Sequence, residues 1–175
     1  MTLLRCLGMS GKHLIEKPST RDGSVMWRIA RDSGKLDLNS SYAYLLWCRD
    51  FADTSAVVRV DGAVVGFVIG FIRPADPETV VVWQIAVDDS QRGKGLAGKL
   101  LDHLVERLAE RGVRYLETTI TPDNAASIAL FDGLARRRGA RREATALFAA
   151  DAFPDDHDRE DLHRIGPLLP VAVSA

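Results

Sequence analysis

Between an apolar run and an amphipathic one stands the segment Gln91-Arg92-Gly93-Lys94-Gly95-Leu96-Ala97-Gly98, and no other stretch constrains the fold of this chain so strongly. Before it, Thr79–Val87 (TVVVWQIAV) is β-branched and apolar enough for a central strand buried on both faces. After it, Leu96, Leu100, Leu101, Leu104, Val105 and Leu108 recur at helical spacing, which predicts an amphipathic helix over Ala97–Arg111 that Gly112 stops. A strand, a glycine-rich turn and a helix in that order bring backbone N–H groups and the positive end of the helix dipole to one point. Phosphate oxygens fit such a point, and side chains in place of the glycines would block their approach.

Upstream, Ala56–Val60 and Val64–Ile72 are β-branched runs joined by Asp61-Gly62, a pair suited to a tight hairpin. Arg73–Glu78 carries Pro74 and Pro77 and reads as a loop, so three antiparallel strands in succession lead to the glycine turn. Val25–Ala30 reads as a short strand and Leu36–Phe51 as helical, with Ser40 or Ser41 placed to cap it. Downstream, strands are expected at Val113–Ile120 and Arg142–Ala149, around a helix over Asn124–Arg138, and Ile165–Val173 suggests an edge strand. Residues 1–23 lack a period, contain Gly8, Gly11, Pro18 and Gly23, and read as a loosely held arm before one domain over 24–175. The expected class is α/β (α+β), a mixed, mostly antiparallel twisted sheet flanked by helices.

Composition narrows the partners. With 46% hydrophobic and 27% charged residues, the 175-residue chain suits a globular domain with a core. Its 23 Lys+Arg against 24 Asp+Glu leave a net charge of −1, so no global field draws nucleic acid or an anionic membrane. No stretch has the roughly 20 apolar residues of a membrane span, and the start, broken by Arg5, does not read as a signal peptide. Cys6 and Cys48 make neither a disulfide framework nor a C-x-x-C pair, which fits a reducing, cytoplasmic setting. In the acidic stretch Asp155–His163, His157, Glu160 and His163 stand three apart; on a helix they would fan outward, so no metal site is expected.

Three phosphate motifs compete for the glycine turn. A Walker A loop is absent, because Lys94 precedes Gly95. The dinucleotide pattern G-x-G-x-x-G is literally present at Gly93, Gly95 and Gly98, with Glu117 near the spacing of a ribose-binding acid. That pattern, however, belongs at the first strand of a parallel βαβ array, and here it follows an antiparallel meander. Third, Arg92-x-x-Gly95-x-Ala97 resembles the Q/R-x-x-G-x-G/A signature of the GCN5-related N-acetyltransferases, and Asn124, Ala126, Leu130 and Phe131 in DNAASIALFDGL resemble that family's second coenzyme A segment. The resemblance implies the acyl-CoA N-acyltransferase (GNAT) fold and acetyl-CoA as co-substrate, without a metal. It further implies a pyrophosphate held by Arg92, Gly93, Lys94, Gly95, Leu96 and Ala97, a pantetheine arm along Ile85 and Val87, and a contact at Asn124. Phe131 stands where the family often has a tyrosine that protonates the departing thiolate, so that role passes to water or another hydroxyl. The arginines at 136–138, 141 and 142 read as helix C-terminal charges favoured by the dipole, with the CoA ribose 3′-phosphate as a sharper alternative.

A narrower resemblance covers about residues 25–170. LDLNSSYAYLLWC, VVWQIAV, TPDNAAS and DLHRIGPL are similar to the diaminobutyrate acetyltransferases of ectoine biosynthesis. It implies a homodimer that acetylates L-2,4-diaminobutyrate on its side-chain amine. At the matching positions, Asp37 suits an ammonium, Tyr42 a carboxylate or amine, and Trp83 offers a face for a cation. Glu160 and His163 would close the pocket and, with Asp37, are the candidate bases for the acceptor ammonium. Plainer readings stay open: Asp37 as an acid at a helix start, Tyr42 and Trp83 as core aromatics, Glu160 as a solvated charge. Also open are another acceptor amine (a protein N-terminus, a polyamine, an aminoglycoside) and a coenzyme A-binding module without turnover.

Overall fold

In the computed structural model, which describes residues 13–168, seven strands form one sheet. The elements are β1 (His13–Glu16), α1 (Gly23–Ser33), α2 (Ser41–Asp50), β2 (Ala56–Val60), β3 (Ala63–Arg73), β4 (Asp76–Val87), α3 (Leu96–Ala109), β5 (Tyr115–Ile120), α4 (Ala125–Arg138), β6 (Arg141–Phe148) and β7 (Glu160–Gly166). The spatial order is β1-β2-β3-β4-β5-β7-β6, antiparallel throughout except between β4 and β5.

Alternation along the strands divides the core in two. On one face Val58, Val68, Val80, Val82, Leu116 and Ile165 meet the buried stripe of α3, Leu100, Leu101, Leu104 and Leu108, together with Phe131 and Leu134 of α4. On the other, Val57, Phe67 and Ile69 meet Met26, Ile29, Tyr44 and Cys48 of α1 and α2. Each fully buried leucine contributes about 1.5–3 kcal/mol of transfer free energy, so the α3 stripe alone outweighs the cost of its capless start.

Four elements depart from the sequence reading. Val25–Ala30 lies inside α1, because Met26, Ile29 and Ala30 bury at three- and four-residue steps and Gly34, at φ 57°, ends the helix in the left-handed conformation. The loop expected at 73–78 shrinks to Pro74-Ala75, with Arg73 facing Asp76 across a hairpin and Pro77 tolerated at the start of β4. Of the arm expected over 1–23, residues 13–16 form β1, registered on β2 from His13↔Val60 to Glu16↔Val57, and residues 1–12 lie outside the described residues. The last strand is Glu160–Gly166 instead of 165–173, and it inserts between β5 and β6 instead of forming an edge. Burial of Ile165 and His163 decides this; residues 169–173 of the expected strand lie outside the described residues. Ser40 is the α2 cap, accepting from the Ala43 N–H, so Leu36–Asn39 is free to form a loop.

Candidate active site

The site begins where the sheet parts. β4 and β5 pair at Thr79↔Tyr115, Val80↔Leu116 and Val81↔Glu117, and from Val82 onward β4 has no partner on that side among the described residues. A register shift places Gly70 opposite Val82 and Ile69 opposite Gln84, which leaves Trp83 as the extra residue of a bulge facing out of the sheet. The gap therefore offers unpaired β4 backbone, which an extended ligand arm can use as a strand would.

At the end of β4 the chain enters the glycine turn. Gly93 and Gly95 adopt φ 76° and 72°, conformations that other residues enter at a cost, and Gly95 caps α3 without any side-chain hydrogen bond. The first N–H groups of this 14-residue helix thus lack a side-chain acceptor and suit an anion. Arg92 pairs with Asp89 at 2.7 Å and Lys94 donates to Gln91 at 2.8 Å, which orders the turn without filling it. Leu96 is buried under the turn, and Ala97 is small enough to leave its N–H approachable. Across the gap Asn124 caps α4, accepting from the Ser127 N–H at 3.1 Å.

The gap opens into a cavity of about 790 Å³ that reaches both faces of the sheet, with Asn124 at the start of α4 and Ser127 and Phe131 within it lining the α3–α4 side. Its walls come from separate parts of the chain: Asp37 from the α1–α2 loop, Phe71 and Arg73 from β3, Trp83–Ile85 from β4, Glu117–Ile120 from β5, and Glu160 and Leu162 from β7. The loop after β6 adds Phe153 and His157, whose rings stack at 4.2 Å. Gln84, buried beside Val82 and Ala86 of β4, positions this wall: its Nε2 donates to the Asp37 carbonyl at 2.7 Å and its Oε1 accepts from Tyr44 at 2.9 Å.

Three titratable groups gather at one end. His157 Nε2 lies 3.4 Å from Asp37 Oδ2 and 3.8 Å from Glu160 Oε1, while its Nδ1–H donates to the Asp158 carbonyl. That carbonyl, with Asp37 and Glu160, raises the imidazole above its ordinary pKa. Burial raises the Glu160 carboxyl against the lowering by the Thr119 hydroxyl, and among the described residues Glu160 Oε2 is buried with no hydrogen-bond partner. A carboxylate with an unsatisfied oxygen and a raised pKa at a cavity wall is suited to accept a proton.

The model of the acetyltransferase (GNAT) family matches residues 24–135. The chain belongs to that family. A diaminobutyrate acetyltransferase (EctA) from Paenibacillus lautus, solved in complex with L-2,4-diaminobutyric acid and coenzyme A, superposes with a TM-score of 0.87 at 40% identity, covering 91% of this chain and 98% of that one. The L-2,4-diaminobutyric acid acetyltransferase of Streptomyces coelicolor is 59% identical over 157 residues, 88% of this chain and 92% of its own length. The enzyme of the same name from Nocardia farcinica is 55% identical over 158 residues, 90% and 82%. The mixed sheet read from the sequence is thus the GNAT sheet, with α3 and the glycine turn in the expected order.

Within this GNAT frame the expected site residues do not all meet. Asp37, Trp83, Ile85, Asn124 and Glu160 line the cavity. Val87 lies nearer the glycine turn, paired with Gly66 and outside the cavity wall. Tyr42 is 64% exposed on the outer face of α2 and does not line the cavity; Tyr44, two residues on, is the buried tyrosine that reaches Gln84. His163 is separated from Glu160, because β7 is a strand and residues three apart point to opposite faces. It is buried beside α4, where Arg142 Nη1 donates to its Nδ1 at 2.6 Å and burial lowers its pKa. His157, Gln84 and Arg73 were not expected as site residues. A single polar residue inside TVVVWQIAV was the signal for Gln84.

Proposed function

We propose that this chain is an L-2,4-diaminobutyrate Nγ-acetyltransferase of ectoine biosynthesis, using acetyl-CoA. The observation that carries the reading is the placement of Glu160, His157 and Asp37 around a cavity that adjoins the open edge of β4, in a chain more than half identical to enzymes of that name. The turn Arg92–Ala97 receives the pyrophosphate on backbone N–H groups, Asn124 lies across the gap, and Ile85 and Val87 offer strand-like hydrogen bonds to the pantetheine arm.

The acceptor γ-ammonium must lose a proton before it attacks. Glu160 takes it, directly or through one water, and its raised pKa brings it toward that of an amine. The amine lone pair then forms a C–N bond to the thioester carbonyl carbon, which an unpaired β4 N–H polarises. The C–S bond breaks, and the thiolate takes a proton from water or a nearby hydroxyl, since Phe131 has none to give. Asp37 and the face of Trp83 hold the acceptor's γ-ammonium beside Glu160 until it gives up its proton. Tyr42 and His163 do not line the cavity and are given no role in this reading. A homodimer completes the reading, supported by the aromatic cluster of Trp47, Phe51, Phe71 and Trp83 that leaves Phe51 exposed outside the cavity. A cytoplasmic location is supported by the buried free thiol of Cys48.

The test is thiol release from acetyl-CoA with L-2,4-diaminobutyrate, ornithine, lysine and a polyamine at equal concentration. Strong preference for diaminobutyrate, with the acetyl group on Nγ by NMR, is expected. Activity confined to another amine would discard the acceptor, and release with none would turn the site into a coenzyme A-binding module.

A further inference from the structure

We propose that Arg73 anchors the α-carboxylate of the acceptor and so sets its chain length; the inference rests on the amino-acid acceptor proposed above. Arg73 closes β3 on the cavity floor with its side chain 44% exposed. Its Nη1 donates to Glu117 Oε2, and among the described residues its other donors carry no hydrogen bond to protein. Glu117, with a side chain 4% exposed, is gripped from the other side by Arg164, whose Nη1 lies 2.5 Å from Oε1. Arg164 is committed to protein at both Nη atoms: Nη1 also donates to Thr79 Oγ1 at 3.3 Å, Nη2 reaches Asp76 at 3.5 Å, and the guanidinium stacks on Tyr115 at 4.1 Å. Of the two guanidinium groups on the buried carboxylate, the one lining the cavity is Arg73, whose fork is otherwise free among the described residues. A guanidinium held at one nitrogen and open at the rest is suited to a bidentate carboxylate.

Position makes the anchor selective. Glu117 faces Arg164 across the β5–β7 pair, and Glu160 stands four positions from Arg164 on the same face of β7, about 13 Å of strand at ~3.3 Å per residue. The floor therefore has a carboxylate-binding end at Arg73 and a proton-accepting end at Glu160. An α,ω-diamino acid held at Arg73 by its carboxylate would extend its reactive amine toward Glu160. Lys35, the other basic side chain free to meet a carboxylate, is exposed at the rim and lacks a buried partner to fix it.

The experiment compares L-2,4-diaminobutyrate with 1,3-diaminopropane, the same chain without its carboxylate, as acceptor or as competitive inhibitor. Wild type, Arg73→Gln and Arg73→Lys are measured with acetyl-CoA saturating. In Arg73→Gln, KM for diaminobutyrate is expected to rise about ten- to a hundred-fold, the range of a lost charged hydrogen bond, with kcat within a few-fold and 1,3-diaminopropane unchanged. Arg73→Lys, which keeps the charge without the fork, falls between, and it decides the matter if the Gln variant does not fold. Equal losses for both amines, or none for either, overturn the proposal. Wild type inactive on diaminobutyrate but active on 1,3-diaminopropane would instead overturn the acceptor reading, and the anchor with it.

Discussion

The two sides of the gap between β4 and β5 are made of different material. Toward α3 the surface is backbone: two glycines at positive φ and the uncapped first turn of one helix, all within a few consecutive residues. Toward β7 it is side chains, delivered by the α1–α2 loop, β3, β4, β5, β7 and the loop after β6. In the proposed reading coenzyme A is held by groups every residue possesses and the acceptor by groups that each substitution can change, so mutations should act through conformation on the first side and through charge on the second.

The sharpest break is expected at Glu160→Gln. Removing a general base costs about 10²–10⁴ in rate, and kcat should fall within that range with the KM for acetyl-CoA little changed. Stability should move the other way. Burial holds the Glu160 carboxyl above its ordinary pKa, so between the unfolded and folded values the folded chain binds more protons, and stability falls as pH rises through that window. The Gln variant escapes this loss. Its melting temperature should exceed that of wild type near neutral pH, and the gap should close below the unfolded carboxyl pKa of about 4.3. Unchanged turnover would remove Glu160 from the base role.

On the backbone side, Gly95→Ala sharpens the contrast. A Cβ there meets nothing within 4 Å, so the substitution acts through φ alone, at a cost of about 1 kcal/mol. Relaxing that strain shifts the turn, and the expected outcome is a several-fold rise in KM for acetyl-CoA with the KM for the acceptor unchanged. Equal changes in both would show that the two sides are not separable.

The same difference explains what could be read in the sequence. The glycine turn, the α3 stripe and the helix following Asn124 are local patterns, and each is found at its expected place. The acceptor wall depends on which distant residues a strand brings face to face. Glu160 and His163 look paired under a helical period and are divided by a strand period; His157, in the sequence one of three evenly spaced metal-ligand types, stands between two carboxylates. Val25–Ala30 went astray for a local reason, since Val25 and Ile29 suggest a strand while Met26, Ile29 and Ala30 already carry the helical step. Arg73 had no local signal at all: its partner Glu117 lies across β4.

The smallest effect on turnover is expected at His163, and it tests the division of β7 into two faces. His163→Leu removes the acceptor for an Arg142 donor next to α4, where Arg142 also holds Asp132. Leaving that donor unpaired should cost about 1–3 kcal/mol in a thermal melt, while kcat/KM stays within a few-fold. The pH dependence carries the sign. Burial lowers the folded pKa below the ordinary 6.5, so as pH falls through 6.5 the unfolded chain takes up a proton that the folded one refuses, and wild-type stability declines. The Leu variant lacks this decline, so its deficit should narrow on the acid side. A loss of turnover as large as that of Glu160→Gln would place His163 back among the reacting groups and undo the reading of β7 as a strand with one catalytic and one structural face.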